Sequence, residues 1–97
     1  MKTFISEYKD GEKSLIPYNF NRVDEQLIVK RIRTILEKDE RFAFKEYIMG
    51  PSEDVYFYQY DDEKVVLWND LSDGVEIRAS ESVLLVIQEM LEKYLEL

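Results

Sequence analysis

The sequence predicts an α+β fold, an antiparallel meander of three to four strands with two helices packed on one face. Three observations carry this reading. Apolar residues recur at spacings of three and four near residues 22–38 and again after residue 80. Between these stretches the period drops to two, and aromatic and β-branched residues alternate with polar ones. The chain of 97 residues has three Gly and two Pro, which suits one domain, 1–97, with a single core.

In Lys2 to Tyr18, Phe4-Ile5 and Leu15-Ile16 flank Lys9-Asp10-Gly11-Glu12, where Asp-Gly signals a turn. A hairpin or an irregular arm is expected there. Pro17 restricts the residue before it, and Tyr18 to Asn21 reads as a loop. Asn21 is the expected N-cap of a helix from about Arg22 to Lys38, with Asp24 and Glu25 in the first turn. Leu27, Ile28, Ile32, Ile35 and Leu36 fall on its buried face. Lys30, Arg31 and Arg33 lie opposite, and in a chain of net charge −8 they read as a solvated face rather than a phosphate footprint.

From Arg41 onward Phe42, Phe44 and Ile48 alternate with polar partners, and Gly50-Pro51-Ser52 makes a turn. Val55 to Tyr60 and Lys64 to Asn69 are two further strands, joined by Asp61-Asp62-Glu63. Pairing Tyr60 with Val65 puts Tyr56, Tyr58, Tyr60, Val65 and Leu67 on one face and Val55, Phe57, Val66 and Trp68 on the other. The greater apolar content of the second face makes it the expected core. Ser72-Asp73-Gly74 turns the chain into a short strand, Val75 to Arg78. Ser80 caps the last helix, whose stripe is Val83, Ile87, Met90, Tyr94 and Leu97, widened by Leu84, Leu91 and Leu95.

Charge is the best pointer to function. Residues 1–48 carry a net +1, whereas residues 49–97 carry −9, with only Lys64, Arg78 and Lys93 against twelve acids. A one-signed surface repels anions and draws cationic partners, so a basic protein partner is expected and direct nucleic-acid binding is not. Cysteine and histidine are both absent, which removes disulfides, thiolate metal sites and the usual nucleophile–base pairs. An enzyme is therefore not expected, nor is a cofactor or a metal. The N-terminus lacks the apolar stretch of a signal peptide, and the longest apolar run is Val83 to Ile87, so a cytoplasmic protein without membrane contact is expected.

Tyr56, Tyr58 and Tyr60 form a row bracketed by Glu53-Asp54 and Asp61-Asp62-Glu63. Alternate residues share a strand face, so the phenols would form a ladder beside five carboxylates, a rigid amphipathic surface for a Lys/Arg-rich partner. The other reading packs the tyrosines beneath a helix with their hydroxyls at the rim. Asp70, Asp73 and Glu76 extend the acidic set. Asn69 to Gly74 is no calcium loop, because Leu71 and Ser80 stand where ligands are required. The stripe of the last helix also leaves a homodimer open.

Small size, acidity, the lack of His and Cys, and an acidic aromatic surface resemble the bacterial immunity proteins of polymorphic-toxin and contact-dependent growth inhibition systems. The resemblance is one of type, with no signature motif. It implies a cytoplasmic inhibitor that neutralises a basic toxin, often a nuclease, by tight binding without chemistry. The partner-binding residues expected are Glu53, Asp54, Tyr56, Tyr58, Tyr60, Asp61, Asp62, Glu63, Asp70, Asp73 and Glu76. A phage-type DNA mimic follows from the same charge argument; the other alternative is a homo-oligomer joined through the last helix.

Overall fold

The computed structural model describes every residue except Lys9, Phe20, Asn21, Asp73 and Leu97. The described residues form strands β1 (Thr3–Glu7) and β2 (Lys13–Pro17), helix α1 (Glu25–Lys38), strands β3 (Phe42–Met49), β4 (Glu53–Tyr60), β5 (Glu63–Asp70) and β6 (Gly74–Arg78), and helix α2 (Glu81–Tyr94). The strands make one six-stranded antiparallel sheet in the order β1-β2-β6-β5-β4-β3. The fold class is the expected α+β, but with more strands than the three to four predicted. The N-terminal hairpin is not an arm: Ser14 and Leu15 pair with Arg78 and Ile77, which joins it to the meander.

Local chemistry accounts for the turns. Gly11 takes φ +85°, which a side chain would resist, and lets the chain reverse between β1 and β2. Tyr60 pairs with Glu63, so Asp61 and Asp62 alone turn the chain between β4 and β5, and Asp61 accepts a left-handed φ of +52°. That register, with Tyr58 opposite Val65, lies two residues from the one expected and leaves every side chain on its expected face. In α1 the cap is Asp24, whose carboxylate accepts the Gln26 amide proton at 2.9 Å. The expected cap, Asn21, lies outside the described residues, and the helix starts later than predicted.

Both helices pack on the tyrosine face, opposite to expectation. Tyr58, Val65, Leu67, Ile77 and Leu15 are buried beneath Ile28, Ile32 and Leu36 of α1 and Leu84, Ile87 and Leu91 of α2. Burying each such aliphatic side chain contributes about 1.5–3 kcal/mol before the entropy of ordering it. Two expected core positions are exposed: Leu27, displaced by Val29, and Tyr94, displaced by Leu95. Most of the α2 stripe packs on its own sheet, with Val83, Leu84, Ile87, Met90 and Leu91 buried. No described helix is long and apolar enough to cross a membrane.

Candidate functional site

The structure divides the predicted partner-binding residues among separate places. Tyr56 and Tyr58 lie in the core beneath α1, and Tyr60 is half-buried with its ring 4.9 Å from Phe42. The tyrosine row is not an open ladder. Tyr58 instead ties α1 to the sheet: its hydroxyl accepts a hydrogen bond from Arg33 Nε at 3.2 Å and donates to Glu37 Oε2 at 3.1 Å. Arg33 closes the triangle by donating to Glu37 Oε1 at 3.3 Å. Burial pushes the Tyr58 phenol up to about 12, with the nearby Glu37 carboxylate adding to the rise and Arg33 opposing it. Tyr56 is sandwiched, with the Tyr47 ring stacked at 4.7 Å and the Arg33 guanidinium 4.4 Å from its centroid.

The acids fall at opposite ends of β4 and β5, separated by roughly 23 Å for an eight-residue strand. At one end Glu53 accepts from Trp68 Nε1 at 3.0 Å, Asp54 from the Tyr47 hydroxyl at 2.6 Å and Asp70 from the Ser72 amide at 2.7 Å. These three half-buried carboxylates serve local structure. Asp73 lies outside the described residues. Glu76 sits at mid-sheet, accepting from the Tyr8 hydroxyl at 2.6 Å and from Arg78 at 3.3 Å, so its charge is already matched.

The other end differs. Asp61, Asp62 and Glu63 are all exposed at the β4–β5 tip. The ion pairs among the described residues join Lys13 to Glu81, Arg33 to Glu37, Arg41 to Asp39, and Arg78 to Glu12 and Glu76; none involves the tip. Among the described basic residues of the N-terminal half, Lys13, Arg33 and Arg41 make ion pairs, and none of these reaches the tip. Gln59 fixes it by donating to the Asp61 carbonyl at 2.7 Å.

Beside the tip lies the face of the sheet that carries no helix. A shallow concavity of about 430 Å³ is lined there by Glu46, Phe57, Gln59, Asp62, Glu63 and Lys64. Cations lie over the aromatics of this face: Lys64 Nζ is 4.7 Å from the centroid of half-buried Phe57, and Arg78 lies 4.9 Å from half-buried Trp68 and 4.7 Å from exposed Tyr8. This arrangement escaped the sequence because Tyr8 reaches Arg78 only through the long-range pairing of β2 with β6. The alternation Lys64, Val66, Trp68 was the one visible signal. Together the tip and the concavity place the exposed carboxylates of Asp62 and Glu63 beside aromatic surface, with Lys45 and Lys64 on the same rim, so the carboxylates rather than the covered ring are what a Lys or Arg side chain would meet. Among the described residues no cluster of three or more acids is arranged to hold a metal ion.

Comparison with protein-family models, curated proteins and solved structures finds no significant match.

Proposed function

We propose that this chain is a non-catalytic acidic binding protein of the immunity type, which neutralises a basic toxin domain, a nuclease being the best-suited class, by docking on the β4–β5 tip. The observation that carries this reading is the exposed, unpaired trio Asp61, Asp62 and Glu63 beside the Phe57 concavity. Such carboxylates steer a cationic partner and can occupy the positions its phosphate ligands otherwise take. Cytoplasmic residence belongs to the same proposal.

The test is a pull-down from native lysate with the wild-type chain and with Asp61→Lys/Asp62→Lys/Glu63→Lys, eluted by rising salt. A basic protein held to high salt by the wild type, lost with the variant, and inhibited by the wild type in its own activity assay supports the proposal. Equal retention by both chains removes the tip from it, and a captured protein whose activity is unaffected removes inhibition.

A further inference from the structure

We infer that β3 pairs with β3 of a second copy of this chain, forming a two-fold dimer with a continuous sheet. β3 is an edge strand whose residues from Ala43 to Met49 are all exposed. Phe44, Tyr47, Ile48 and Met49 are 42%, 43%, 47% and 75% exposed, an apolar run unusual on a bare edge. Its outward backbone groups are a template for another strand.

The sequence of β3 says which strand. Its midpoint falls between Lys45 and Glu46. An antiparallel two-fold there sets Lys45 against Glu46 of the second copy, Glu46 against its Lys45, and Phe44 and Tyr47 against each other on both sides. Ala43 then meets Ile48. In a regular strand this register fails, because residues an odd number apart point to opposite faces. The register shift between Phe44 and Glu46 repairs it: Phe44 and Tyr47 both pair with residues of the tyrosine face, Tyr58 and Tyr56, while Ala43 and Ile48 both pair with residues of the other face, Gln59 and Val55. The extra residue at Lys45 thus makes the edge complementary to itself. Neither Lys45 nor Glu46 has an ion-pair partner among the described residues.

Sedimentation velocity over a wide concentration range tests this in the absence of any basic partner, so its outcome is read apart from the proposed function although Lys45 and Glu46 also line the concavity beside the tip. The wild type is expected to dimerise. Lys45→Glu and Glu46→Lys each place two like-charged pairs at the two-fold and should weaken the dimer by about tenfold or more, with far-ultraviolet dichroism unchanged because both sites are exposed. The swap Lys45→Glu/Glu46→Lys should restore dimerisation, and mixing the two single variants should give a heterodimer. A wild type that stays monomeric throughout overturns the inference and makes the bulge and charges guards against pairing. A dimer indifferent to all three variants overturns it as well, since another surface then joins the copies.

Discussion

The two edges of the sheet are built to opposite ends. β1 is short, its Thr3 is buried, and Gln88 of α2 donates to the Thr3 carbonyl at 3.4 Å. Ile5 packs into the core under α2, and the Met1 amino group donates to the Leu95 carbonyl at 2.7 Å, pinning the chain before the strand. β3 is longer, keeps only Phe42 buried, and has exposed apolar side chains along its length. The difference teaches where the helices do their work. α2 closes the β1 side, whereas α1 covers β3 at its buried start, Phe42, and farther along extends Arg33, whose guanidinium lies 5.3 Å from the Phe44 ring. Helix contacts and the tethered N-terminus cover the β1 edge, whereas β3 carries no covering segment among the described residues and has only its bulge and the charges of Lys45 and Glu46.

The contrast can be broken most sharply by truncation. Ile87→Ala, at a fully buried position of α2, should cost about 2–5 kcal/mol in urea unfolding, whereas Ile48→Ala on β3 should stay within about 0.5 kcal/mol at concentrations where the chain is monomeric. Similar losses at both sites would show that β3 is covered.

A smaller effect sharpens the seam between α1 and β4. Tyr58→Phe removes one hydroxyl from the triangle with Arg33 and Glu37 and should cost about 1 kcal/mol near neutral pH. Its pH dependence has a definite sign. The folded state raises the Tyr58 phenol from 10.0 to about 12, so the protonated form is the one favoured by folding. The associated stability is complete below pH 10 and is lost as the pH rises towards 12, so the gap between wild type and Tyr58→Phe should narrow across that window. A gap that widens there would contradict the assignment.

Asp61→Gly separates fold from function at the tip. Glycine accepts the φ of +52° without the steric cost of a side chain, so stability should rise by up to about 1 kcal/mol, while affinity for the basic partner should fall with the lost carboxylate. Changes of the same sign in both would argue that the turn acts through its shape. The smallest expected effect is at the sealed edge: Gln88→Ala should cost about 0.5 kcal/mol and speed amide exchange in β1 without changing it in β3.

Much of this architecture was legible in the residues, and the failures have physical causes. Asp10-Gly11 and Asp61-Asp62 marked their turns because only a few residues accept left-handed backbone, and both helices showed in their apolar spacing. Pairing of Leu15 with Ile77 left no local mark, so the hairpin could not be placed in the sheet. The choice of core face failed because each face carries two aliphatic residues, so aliphatic content could not separate them and the tyrosines were counted as polar. Tyr58 is buried with its hydroxyl satisfied at the helix seam, while Val66 on the other face is buried without a helix over it, lining a surface hollow with Lys64 and Arg78. The acidic stretch at 61–63 was recognised correctly as exposed, but Glu53, Asp54 and Glu76 were grouped with it by charge alone, and each has a hydrogen-bond donor of its own.

The central claim is that the β4–β5 tip recognises a basic partner. Calorimetric titration of the captured partner into wild type and into Asp61→Lys/Asp62→Lys/Glu63→Lys, repeated from low to high salt, tests it most directly. A wild-type affinity that falls steeply with salt, and a variant at least about tenfold weaker with a shallower salt dependence, is the predicted result. Equal affinities with equal salt dependence would contradict it.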